Sequence, residues 1–161
     1  MATITRKDMK REATFGTAPY GNLTALEFPL TTTATGAVVN ADSTSAVASG
    51  DVVNMGIIPA GFRLQDSLAI VSTAFTASVV GSFGFAYVDG VDDATVPQDA
   101  DYFGASVAIN TAGRYAASNT AVKPVTLPKT AYLTLTTGGA NNAKAADLLF
   151  ILRGVEVGVV G

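Results

Sequence analysis

Five carboxylates, Asp89, Asp92, Asp93, Asp99 and Asp101, fall within the stretch "DGVDDATVPQDAD". At this density, hard oxygen ligands could hold a calcium ion, and paired carboxylates are also the working groups of acid/base hydrolysis. The spacing departs from an EF-hand loop, because no Glu closes the twelfth position. Nothing in the stretch sets one carboxyl apart as the acid and another as the base. Two readings stay open: a structural calcium site, or a solvated acidic loop that faces a basic patch on a partner. Elsewhere the means of catalysis are thin. The chain has no histidine and no cysteine, so the commonest general base and metal ligand are missing, as is any thiolate. Its serines therefore lack their usual base, and Gly81, Gly84, Gly138 and Gly139 fit no phosphate-loop pattern. No catalytic, cofactor-binding or metal-ligating residue is assigned and no cofactor is expected; the chain is read as a binding protein, not an enzyme.

The strongest charge feature is the N-terminal arm, where Arg6, Lys7, Lys10 and Arg11 oppose Asp8 and Glu12. The first 14 residues carry +2, while the rest, with six basic and eleven acidic residues, carries −5. Four cations in six positions could meet phosphates, but the interleaved acids weaken that field, and nucleic acid is not an expected partner. A short charged helix or solvated tail, with Asp8 and Glu12 on one face, is one reading of the arm. The other is docking onto an acidic protein surface, with Arg6, Lys7, Lys10 and Arg11 as the partner-binding residues.

Elements rich in Val, Ile, Leu, Thr and aromatics must carry these groups. Strand character is expected over 36–40, 51–58, 63–72, 78–88, 105–110, 120–127, 130–137 and 147–157, each bounded by Gly, Pro, Asn or Asp. Residues 1–36 read as arm and Thr/Ala/Gly-rich connector, and 37–161 as one β-sandwich domain, a size that a single core serves. In the first long strand Leu64, Leu68 and Ile70 alternate onto one face; in "TAYLTLTT", Leu133 and Leu135 oppose Tyr132, Thr134 and Thr136. Phe83, Phe85 and Tyr87 share one side, as a core stripe or, if that side is open, as a platform for sugars. "ADLLFILRGVEV" starts as a continuous apolar run, which suits a central strand covered on both faces or one in a subunit contact. Between two of the strands, Pro59 and Gly61 predict a tight corner, with Pro59 at its first central position and Gly61 at positive φ. A charged fraction of 14% with mean hydropathy of +0.36 is apolar for a monomer and points to buried subunit contacts. The longest apolar run stops at Arg153, far short of the roughly 20 residues a span needs, and the polar N-terminus lacks a secretory apolar core. No membrane partner is expected.

One order of segments goes further. "GDVVNMGIIPAGFRLQDSLAIVSTAF", then "GSFGFAYVDG", "DDATVPQDADYFGA" and "TAGRY", over about residues 50 to 116, resembles the decoration or cement proteins of tailed bacteriophage heads. The resemblance implies a jelly-roll-like antiparallel β-sandwich with an extended N-terminal arm. It also implies a homotrimer seated on the outer surface of the capsid, with the major capsid protein as partner and head stabilisation as the function. A carbohydrate-binding or host-attachment module of the same fold is the alternative.

Overall fold

The computed structural model describes residues 1–7 and 23–157. It is all β: β1 (Thr3–Thr5), β2 (Leu23–Thr31), β3 (Val52–Ile58), β4 (Phe62–Thr73), β5 (Val80–Tyr87), β6 (Asp99–Val107), β7 (Gly113–Ala116), β8 (Ala131–Gly138) and β9 (Asp147–Glu156). One sheet has the order β1-β3-β8-β5-β6 and the other β2-β9-β4-β7. Apart from parallel β1, neighbouring strands are antiparallel: β2 pairs with β9, β3 with β8, β4 with β7 and β5 with β6. This nested pairing is that of one long hairpin rolled up, so that outgoing β2 to β5 and returning β6 to β9 distribute over two sheets. That is the double Greek key of a jelly roll, and it bears out the expected fold class.

The core lies between the sheets. Phe83 of β5 stacks on Phe150 of β9 at 4.9 Å, and Phe103 meets the same ring edge-on at 5.4 Å, so three aromatic rings join one sheet to the other. Phe83, Phe85 and Tyr87 are all buried. The stripe is core, and these rings offer no sugar platform. Leu133 and Leu135 are fully buried, as their alternation requires.

Several sequence expectations are corrected. Residues 1–36 read as arm and connector, yet β1 and β2 lie there, and β2 pairs with β9 from Leu23↔Val155 to Thr31↔Asp147. Pro29 sits in this strand because β2 is an edge, where a missing N–H breaks no ladder on the open side. Residues 36–40 make only isolated bridges, and 120–127 only one, Arg63↔Thr126. β6 starts at Asp99, earlier than expected, and β7 forms at Gly113–Ala116, where no strand was expected. At the corner, Phe62 N–H donates to Pro59 O at 3.3 Å, which makes Pro59 the first turn residue and Ala60 and Gly61 the central pair. Gly61 has φ +80°, the conformation that a type II turn demands at its third position. Phe62, one residue before the strand expected over 63–72, begins β4 and is fully buried.

The largest correction concerns β4. Its register against β9 shifts between Leu64 and Asp66, so Gln65 is an extra residue. A bulge of this kind reverses the in/out phase downstream. Leu64 points into the core, but beyond the bulge Ser67, Ala69 and Val71 take the inward positions, and Leu68 and Ile70 turn half-exposed to the outside.

Candidate partner-binding surfaces

The acidic stretch divides between two elements. Asp89, Asp92 and Asp93 lie in the loop joining β5 to β6, while Asp99 and Asp101 belong to β6. The loop closes on itself through its own carboxylates. Asp93 Oδ1 accepts from the N–H groups of Thr95 (2.8 Å) and Val96 (3.0 Å), and Asp92 Oδ1 from those of Asp93 (2.9 Å) and Gln98 (2.7 Å). Asp89 Oδ1 accepts from Val91 N–H at 3.0 Å, and its Oδ2 pairs with Lys129 Nζ at 2.9 Å. The N–H of Val91, then Lys129, hold Asp89 below the usual carboxylate range; the N–H groups of Val96 and Thr95 do the same for Asp93. Asp99 is shifted the other way, raised by burial and by the neighbouring Asp101. The carboxylates of Asp89, Asp92, Asp93 and Asp99 accept from backbone N–H groups, and among the described residues no group of three acidic side chains is placed to hold a metal ion.

Lys129 ties the loop to the sandwich. Besides Asp89, its ammonium donates to Val91 O at 2.7 Å and lies 4.7 Å from the centre of the Tyr87 ring. Tyr87 donates its hydroxyl proton to Val96 O at 2.6 Å, and Gln98 Oε1 accepts from Tyr87 N–H at 2.8 Å. Burial, then the charges of Asp93, Asp92 and Asp89, push the Tyr87 phenol up to about 12. Beside the loop, a cleft of about 310 Å³ is lined by Val96, Pro97, Asp99, Tyr102, Val122 and Lys123, among others. It holds neither a paired nucleophile and base nor a convergent metal set.

The basic residues of the arm are only partly within the described chain: Lys10 and Arg11 lie outside it. Arg6 and Lys7 follow β1, which is attached to the sandwich. Ile4 is buried in the core, Ala2 N–H donates to Asp51 Oδ1 at 2.7 Å, and Thr5 N–H donates to Asp42 Oδ1 at 2.8 Å. Arg6 donates from its guanidinium to Pro29 O, and Lys7 donates its backbone N–H to Asn40 O. The Lys7 side chain is exposed.

Sequence reasoning did not anticipate the outer face of the four-stranded sheet. Its ladder aligns Pro29, Leu149, Ile70 and Arg114 in one row, and Glu27, Ile151, Leu68 and Ala116 in the next. In the row beyond, Ala25 and Arg153 are followed by Asp66, which lies 3.5 Å from Arg153. The apolar run "LLFIL" was the available signal for β9; for β4 the bulge concealed it.

The sequence matches no family model and no curated protein sequence. The fold does have solved counterparts. A chain in the capsid of Ralstonia phage GP4 superposes with a TM-score of 0.63 at 15% identity, over 97% of this chain and 99% of that one. A chain of the cyanophage Pam1 capsid asymmetric unit superposes with a TM-score of 0.60 at 11% identity, over 91% of this chain and 93% of that one. At these identities the likeness establishes a shared jelly-roll fold.

Proposed function

We propose that this chain is a structural virion protein of a tailed bacteriophage that seats on the outer surface of the major capsid protein lattice and stabilises the head. It acts by binding, without a cofactor and without turnover. The observation that carries the reading is the extent of the likeness: the whole jelly roll, and not a shared fragment, corresponds to chains of phage capsids. The described side chains fit this work, because their polar groups are directed at holding loops and edges together, with none arranged as nucleophile and base. A shell presents the same contact at every lattice position, so small interfaces add up to a large mechanical effect. Copies gather as a homotrimer, as the sequence resemblance implies, with no membrane or nucleic acid as partner. Arg6, Lys7, Lys10 and Arg11 meet an acidic patch on the capsid protein, the exposed Lys7 at the end of β1 marking where that contact begins.

The test uses phage heads stripped of the protein. Added back, it should bind at a fixed number of copies per head and raise the temperature at which the heads open. Binding to glycans with no binding to heads would replace this reading with that of a carbohydrate-binding module.

A further inference from the structure

We infer that the outer face of the four-stranded sheet is a self-association surface whose occupant is the same face of a second copy of this chain. The inference stands on the face alone and does not rest on the virion reading. Its middle is apolar: Pro29, Leu68, Ile70, Ala116, Leu149 and Ile151 are adjacent across four strands, none of them in the core. Around this middle stand three acids, Glu27, Asp66 and Asp147, and three bases, Arg63, Arg114 and Arg153, all exposed. The face is therefore neutral, although the chain carries −3. A partner of one strong charge sign gains nothing from such a face, whereas a second copy can match it.

The register shows how. A two-fold axis running along the strands, between β4 and β9, lays β9 of one copy on β4 of the other and β2 on β7. Ile151 then covers Leu68 of the second copy, and Leu149 covers Ile70. Arg153 stands over Asp66 of the second copy, and Asp66 over its Arg153, so each intramolecular pair is answered by a crossed one. Glu27 meets Ala116 with Arg114 one row further along, about 7 Å away and within reach of two long side chains. Sheets packed in this aligned way interdigitate at about 10 Å separation. Three strands of nine or more residues and the four-residue β7, about 4.8 Å apart, cover roughly 500 Å² of flat sheet per copy, so that two copies together reach the ~1,000 Å² at which specific interfaces begin. Such a contact joins two single chains, or two trimers back to back.

Sedimentation of the purified full chain tests this. The expected mass is that of an even number of copies at high concentration, falling on dilution. Ile151→Lys should halve that mass, with circular dichroism and melting used to verify that the variant is folded. Glu27→Arg and Arg114→Glu should each weaken association about tenfold, and the two together should restore it, because the pairing is only exchanged. A mass that stays odd or monomeric at every concentration overturns the inference. So does a double variant no better than the singles, or an Ile151→Lys protein that keeps its mass but no longer binds phage heads. The last result would assign the face to the shell instead.

Discussion

At the residue scale, the polar groups of this protein hold its backbone in place. Asn142 is the clearest case. Buried between two loops, its Nδ2 donates to Thr32 Oγ1 at 3.1 Å and Lys144 O at 2.9 Å, and its Oδ1 accepts from the N–H and hydroxyl of Thr76, each at 3.1 Å. Asn142→Ala removes one side of these hydrogen bonds and takes the partner from Thr76 N–H, while Thr32 Oγ1, Lys144 O and Thr76 Oγ1 keep the bonds they make among themselves and with Ala146 and Ala143 N–H; each buried group left unpaired costs about 1 to 3 kcal/mol. Urea unfolding should show a loss of about 2 to 4 kcal/mol at unchanged slope. Tyr87 gives a prediction in pH. Its phenol titrates near 10 in the unfolded chain and at about 12 in the fold, so the unfolded state loses its proton first as pH rises. Stability should be unaffected by this group below pH about 10 and should fall between about 10 and 12. Tyr87→Phe should flatten that part of the profile, and the phenolate absorbance of the folded protein should report the late titration. Asp89 and Asp93 have the opposite sense: lowered in the fold, they support their loop above the ordinary carboxylate value, and the support is lost as pH falls through their lowered values. Little of this was readable in sequence. Five Asp residues suggest cation binding by type and density, but whether their oxygens face one another or their own backbone N–H groups depends on how the loop folds.

At the scale of the element, β9 separates what periodicity can reveal from what it cannot. The strand is central in its sheet, between β2 and β4, as the apolar run suggested. It is not equally covered on its two faces: Leu148, Phe150 and Leu152 are in the core, whereas Leu149 and Ile151 are half-exposed. Leu148→Asp should therefore prevent stable folding through an unpaired buried charge. Leu149→Asp should give a folded protein with a much smaller loss in melting temperature. Equal effects would show that both faces of β9 are buried in the isolated molecule. Strand β2 shows the reverse case, a signal present and discounted. Leu26, Phe28 and Leu30 alternate inward as period 2 requires, with Glu27 and Pro29 between them, inside the stretch that reads as connector. On an edge strand both are tolerated, because they occupy the open face and the open side.

For the whole molecule, the N-terminus is the part whose meaning changes most. Read from sequence, residues 1–14 form an arm whose deletion leaves the domain intact and weakens attachment. With Ile4 in the core and β1 covering the edge of β3, the arm is also structural. Deletion of residues 1–14 should still give a folded jelly roll, since the eight nested strands remain. Its melting temperature should be lower, by an amount corresponding to the roughly 1.5 to 3 kcal/mol of burying one Ile together with the lost edge bonds. Binding to heads should weaken as well. A truncated protein that melts normally would mean that β1 contributes nothing to the fold, and unchanged head binding would remove Arg6, Lys7, Lys10 and Arg11 from the contact.

By itself the sequence determined the class of structure: short β-branched and aromatic segments between turn residues can bury their apolar atoms only as facing sheets, and a chain without histidine or cysteine has few reactive groups to arrange. It also determined the Phe83, Phe85 and Tyr87 stripe, because strict alternation holds wherever a strand runs without interruption. Only the tertiary structure decided which sheet each strand joins, that Gln65 bulges, and hence that Leu68 and Ile70 lie outside with Leu149 and Ile151. The physical reason is that one extra residue exchanges the two faces of a strand, and it is pairing with a distant neighbour, absent from any local pattern, that accommodates the extra residue.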